Sequence, residues 1–130
     1  MRSLVIGVGR TLLALYFLYP GIMKFVDWER SSALMELHNM SMVPVLLASA
    51  GLIQISTSLC LILNKQVFIS SLILASLVLV INVNLHDFWN TYEGVNNRHE
   101  MQNFVKNLGI FAGLLLLAAI NMDQPSEKDV

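Results

Sequence analysis

Apolar positions along this 130-residue chain gather into four long blocks, at about residues 4–23, 43–63, 67–85 and 104–121. Each approaches the 20 or so residues that a helix rising about 1.5 Å per residue needs to cross a bilayer's hydrocarbon core. Arg10 and Lys106 are the charged side chains inside these blocks. Lipid offers the backbone no hydrogen-bonding partner, so such spans are expected to be helical. The pattern predicts an all-α integral membrane protein, an antiparallel four-helix bundle filling residues 1–122 as one domain. A short polar tail at 123–130, containing Pro125, is expected to be disordered. Arg10 breaks the first apolar block too early for a cleaved leader, so that span is expected to be retained.

The connections set the routing. Asn64–Lys65–Gln66 joins the second and third spans, and so short a link predicts antiparallel neighbours. The longer connections, 24–42 and 86–103, then share the other membrane side. The first places Trp28, Ser32, Met35 and Leu37 as a helix lying at the interface. The second carries Phe88, Trp89 and Tyr92, residue types that favour the headgroup region. Lysines and arginines divide almost evenly between the two sides, so charge bias assigns no orientation.

Helical spacing gives each span one distinctive face. Arg10, Ala14, Phe17, Gly21 and Lys24 align on the first, and Ala50, Gly51, Gln54, Thr57 and Ser58 on the second. Ser71, Ala75, Asn82 and His86 align on the third. Gln102, Lys106, Gly109 and Gly113 align on the fourth, where the glycines form a GxxxG pair. Small residues allow close helix approach and amides bond across helices, so these faces are expected to meet inside the bundle.

Composition agrees with the class. The chain is 55% hydrophobic and 13% charged, about half the charged share of an ordinary soluble domain. A net charge of −1 supplies no basic field for nucleic acid. Cys60 is the single cysteine, which excludes an intrachain disulfide or dithiol mechanism. His38, His86 and His99 do not fall four apart on any expected helix, so no metal set is predicted.

Polar groups at the ends and depths of oily spans are the candidate chemistry. Lys24, His86, Gln102 and Lys106 should share the long-loop side, Arg10 lies towards the other interface, and Gln54 sits near mid-membrane. Lys24, His86 and Lys106 are expected to converge on a pocket with Trp89 over its mouth, balanced by Asp27, Asp87 or Glu93 or by an anionic lipid or other polar ligand. The plainer alternative has each lysine snorkelling separately to the headgroups. No catalytic residue is assigned.

Several segments together resemble the DoxX family of small bacterial membrane proteins. They are GRTLLALYFLYPGIMKFVDW, Met42–Pro44, LHDFW, and MQNFVKNLGIFAGLLLLAAI, a likeness running over about residues 8–121. The resemblance implies a four-helix membrane bundle and carries family positions onto Arg10, Lys24, His86 and Asn107. Some relatives are subunits or partners of thiosulfate–quinone and other membrane redox systems. Two departures stand out: Gln54 where relatives often have glutamate, and Leu85 where some have a second histidine before His86. Glutamine hydrogen-bonds but carries no proton, which favours a supporting role.

The resulting expectation is a multi-pass protein of the bacterial inner membrane, serving a quinone-linked respiratory pathway as a small subunit or accessory. Its ligand-binding residues would be Arg10, Lys24, Gln54, His86, Trp89, Gln102, Lys106 and Asn107, its ligand a quinone, and its metal none. Its partners would be membrane lipid and a larger complex, a redox partner or a second copy, without nucleic acid. An autonomous quinone-linked oxidoreductase with His86 as proton donor is the first alternative, and a purely structural subunit the second. A two-electron reaction needs an electron carrier that no motif here binds, which favours partnership.

Overall fold

The computed structural model describes residues 1–123, and within them there are five helices and no strand. They are α1 (Arg2–Val26), α2 (Trp28–Leu37), α3 (Val43–Ile62), α4 (Val67–Leu85) and α5 (Asn97–Ile120). All but the ten-residue α2 are long and apolar enough to cross a membrane. From residue 124 on, the expected tail lies outside the described residues.

The last helix starts at Asn97, well before the expected 104. Asn96 explains the difference: its side-chain oxygen accepts from the backbone N–H groups of Arg98 and His99. That cap satisfies donors a helix start leaves open, and Glu100 in the first turn suits the positive end of the helix dipole. The polar residues before 104 therefore extend the helix, although they do not extend the apolar block.

Asparagine ends two other helices. Asn39 and Asn64 adopt left-handed conformations, with φ of 58° and 56°. After α2, Met40 N–H donates to the Met35 carbonyl and Asn39 N–H to the Glu36 carbonyl; after α3, Lys65 N–H donates to Cys60 and Asn64 N–H to Leu61. This paired pattern satisfies carbonyls left open at a helix C-terminus, and asparagine tolerates the left-handed turn better than most side chains.

Partner positions in α3 and the turn after it descend as those in α1 ascend: Arg10 bonds Asn64, Gly21 abuts Gln54 and Ile55, and Phe25 abuts Gly51. In α4 and α5 the corresponding pair is Asn82 with Asn107, followed towards the connecting loop by His86 with Glu100. Glycine sits at both α1–α3 contacts. A Cβ on Gly21 would lie 2.9 Å from the Gln54 Cβ, and one on Gly51 would lie 2.6 Å from a Phe25 ring carbon. Ala14, Phe17, Leu61, Leu74, Ala75, Val78 and Leu114 form the main core. At the other end, α2 buries Met35 with Val43 and Leu47, flanked by Trp28, Met40 and Leu85. Leu12, Leu52, Val83 and Leu116 are each more than half exposed, an outer surface suited to hydrocarbon.

Three of the four expected faces point inward: Ala14, Phe17 and Gly21; Gly51, Gln54, Thr57 and Ser58; and Ser71, Ala75 and Asn82 are all buried. The fourth does not. Gln102, Lys106 and Gly109 are exposed, and a Cβ on either Gly109 or Gly113 would meet nothing within 4 Å. The stripe Asn107, Phe111, Leu114 and Ala118 turns inward instead, since it has the larger apolar area to bury and an amide with partners.

Candidate functional site

Polar side chains form three groups. The first crosses three helices. Tyr16 Oη donates to Asn107 Oδ1 at 3.2 Å, Asn107 Nδ2 donates to Asn82 Oδ1 at 2.9 Å, and Asn82 Nδ2 donates to the Phe104 carbonyl at 3.0 Å. Asn82 is 1% exposed, so its amide is satisfied within the protein. Spacing places Asn82 on an inward face, and the family resemblance puts Asn107 among the candidate residues; Tyr16, their third partner, carries no such signal. An amide in an otherwise apolar block is a visible signal, whereas a tyrosine is common in such blocks.

The second group lies at the loop end. His86 closes α4, and its Nδ1–H donates to Glu100 Oε2 at 2.6 Å. Its acidic partner is thus Glu100 rather than Asp27, Asp87 or Glu93, because the early start of α5 brings Glu100 onto a helix beside α4. Asp87 turns elsewhere: Oδ2 accepts from Asn90 Nδ2 at 2.9 Å and from Tyr92 Oη at 2.5 Å, while Oδ1 lies 3.5 Å from His38 Nε2. Burial pushes the Asp87 carboxyl up, but the bonds from Asn90, Tyr92 and its own backbone, with His38 nearby, together hold it below its ordinary value. The bond to Asp87, assisted by burial and the carboxylate's charge, raises the Tyr92 phenol and keeps it a donor. The sequence weighs His38 only as a metal ligand and Tyr92 only as a headgroup-region aromatic, because nothing in either connection shows that the two meet Asp87.

The third group is buried and unpaired. Gln54 Oε1, Ser58 Oγ and Ser71 Oγ have no hydrogen-bond partner, and their residues are 2%, 0% and 0% exposed. Other hydroxyls on the same helices fold back: Ser56 donates to the Leu52 carbonyl, Thr57 to Ile53 and Ser76 to Leu72. A buried polar group without a partner costs about 1–3 kcal/mol, which makes three on two adjacent helices the chemically open part of the interior. Between α3 and α4 runs a groove of about 400 Å³ lined by Ile53, Ile69, Leu72, Ile73, Ser76, Leu77 and Val80.

The remaining candidates make separate contacts. Arg10 is partly buried and donates from Nη1 to Asn64 Oδ1 at 2.7 Å, tying α1 to the α3–α4 turn. Lys24 is partly buried, while Gln102 and Lys106 are exposed. Among the described residues, no hydrogen bond or ion pair joins Lys24, His86 and Lys106 to one another. Trp89, 53% exposed, packs edge-on against Phe88 and Phe104 at 5.3 and 5.8 Å. No cluster of three or more metal-ligating side chains occurs among the described residues.

The DoxX family model matches residues 5–87. The chain belongs to the DoxX family. The matched part of this DoxX protein holds Arg10, Lys24, Gln54, Ser58, Ser71, Asn82 and His86; it stops before Trp89, Gln102, Lys106 and Asn107, which the likeness read in the sequence had included. No curated protein and no solved structure matches the chain. Four membrane-length helices in a DoxX protein make it a multi-pass membrane protein in a lipid environment.

Proposed function

We propose that this DoxX protein is an antiparallel four-helix bundle of the bacterial inner membrane that serves a quinone-linked redox pathway as a small accessory subunit. In this reading Gln54, Ser58 and Ser71 receive the polar head of a lipid-soluble carbonyl ligand of the quinone class. The opposed run of contacts between α1 and α3, and between α4 and α5, supports the antiparallel routing.

One observation carries the ligand: buried Ser58 and Ser71 hydroxyls and the Gln54 carbonyl lack partners, while neighbouring hydroxyls have theirs. Those groups fit the ligand's chemistry. Hydroxyls donate to quinone carbonyls, and a glutamine oxygen accepts from the hydroxyl of the reduced form. The α3–α4 groove, apolar apart from Ser76, suits an isoprenoid chain. A quinone would supply two-electron redox chemistry when bound; the side chains here bind and orient. With one cysteine and a glutamine at position 54, the chain is better suited to support a redox partner than to act alone.

A structural subunit is the second reading. Gly109 and Gly113 favour it, because open space beyond them would admit a helix of a larger complex or a second copy. Purification from bacterial membranes in mild detergent tests the proposal. A co-eluting redox protein is expected, with bound quinone that falls at least about tenfold in a Gln54→Leu, Ser58→Ala, Ser71→Ala variant, the loss of about 1.4 kcal/mol of binding. A partner without redox function, and quinone no more abundant than in an unrelated membrane protein, would contradict it.

A further inference from the structure

His38 closes α2 with its side chain only 1% exposed, and both ring nitrogens face acceptors. Nδ1 is 2.9 Å from the Leu34 carbonyl one turn back. Nε2 is 3.5 Å from Asp87 Oδ1 and has no hydrogen-bond partner. A neutral imidazole has one N–H. On Nδ1 that proton satisfies Leu34 and turns a lone pair on a carboxylate; on Nε2 it leaves a lone pair against a carbonyl. The imidazolium alone presents an N–H to each acceptor, a hydrogen bond to Leu34 and an ion pair with Asp87. Two neighbours favour the same state: the negative end of the α2 dipole, and the Tyr92 ring, centred 4.4 Å from the imidazole.

We propose that His38 and Asp87 form a proton-controlled clasp, fastening the interfacial helix α2 to the α4–α5 loop when His38 is charged and releasing it when His38 is neutral. The clasp acts on a specific joint. α2 is held from below by Met35 against Val43 and Leu47, and from the side by His38 against Asp87. Losing the proton leaves the apolar contact intact but sets a buried lone pair against an acceptor, so α2 opens more often.

The charged surroundings leave His38 few other partners. On α2 itself Glu36 is exposed, and α3 has no charged side chain. The end of α1 brings Lys24 and Asp27, neither bonded to His38; on α5, Glu100 is engaged by His86, while Arg98, His99 and Lys106 are exposed. The loop contributes Asp87 and Tyr92, with His86 turned to Glu100 and Glu93 exposed. The clasp stands apart from the ligand reading, since it uses none of Gln54, Ser58 and Ser71.

Hydrogen–deuterium exchange of α2 in the full-length protein in lipid nanodiscs, corrected for intrinsic exchange, tests it. Protection at about pH 6 should exceed that at about pH 8.5 by roughly three- to tenfold, the range in which a histidine changes charge. Asp87→Asn and His38→Gln should each abolish the ratio. Equal protection at the two pH values in the unsubstituted protein, or a ratio that survives His38→Gln, would overturn the clasp. Nitrogen-15 spectra of the unsubstituted protein guard against variants that misfold. Both His38 ring nitrogens should carry protons while α2 is protected; a single neutral tautomer throughout would equally overturn it.

Discussion

Asn82 links α4 to α5 twice, through the Asn107 amide and the Phe104 carbonyl. Replacing it with alanine removes both bonds and leaves Asn107 Nδ2 unpaired, so a loss of about 1–2 kcal/mol is expected by SDS titration in mixed micelles. An Asn82→Ala, Asn107→Ala cycle should give a coupling of about 0.6–1.7 kcal/mol; strict additivity would show that the amides do not act together. Asp87 makes a second prediction. Its folded-state value is lowered, so its contribution is complete above its unfolded value of about 3.9 and fades as pH falls through the lower folded one. The melting difference between the unsubstituted protein and Asp87→Asn should therefore be constant from about pH 5 to pH 6 and shrink below about pH 4. A difference independent of pH would contradict this. Gln54 was legible as a polar group stranded in an apolar block and Asn107 only through the family resemblance, while the tie between His38 and Asp87, 49 positions apart in the chain, emerges only after α2 and the loop are placed.

Among the elements, glycine position decides which helices come close. Gly21→Leu should destabilise the protein by about 1–3 kcal/mol or more, because α3 backbone and the Gln54 stem already occupy the place of a side chain. The double substitution Gly109→Leu, Gly113→Leu should leave the unfolding midpoint in detergent unchanged; a comparable loss there would mean that this face is packed after all. Spacing alone puts Gly21 and the Gly109–Gly113 pair on inward faces alike, so it does not tell the packed glycine from the open ones. What it lacked was knowledge of the competitor. Asn107, Phe111, Leu114 and Ala118 share the 3.6-residue period with the glycines and bury more area. The apolar blocks themselves were legible, because length and hydropathy determine spanning helices almost independently of their neighbours. The start of α5 was not, because it depends on the Asn96 cap within a polar stretch.

At the scale of the whole molecule, the contacts favour both connections around α2 and Asp87 on one membrane side and the Lys65 turn on the other. Single cysteines at Lys65 and Trp89, in a Cys60→Ala background, should react with an impermeant thiol reagent from opposite faces of sealed vesicles. Reaction from the same face would refute the antiparallel routing. Under the proposed function, the polar groups left open on α3 and α4 meet a quinone-class ligand. Photolabelling in nanodiscs with a photoreactive quinone, followed by peptide mapping, tests it most directly. Label should concentrate on α3 and α4 and be lost when Gln54→Leu, Ser58→Ala and Ser71→Ala are combined; label spread evenly over all four spans, or unchanged by those substitutions, would contradict the quinone site.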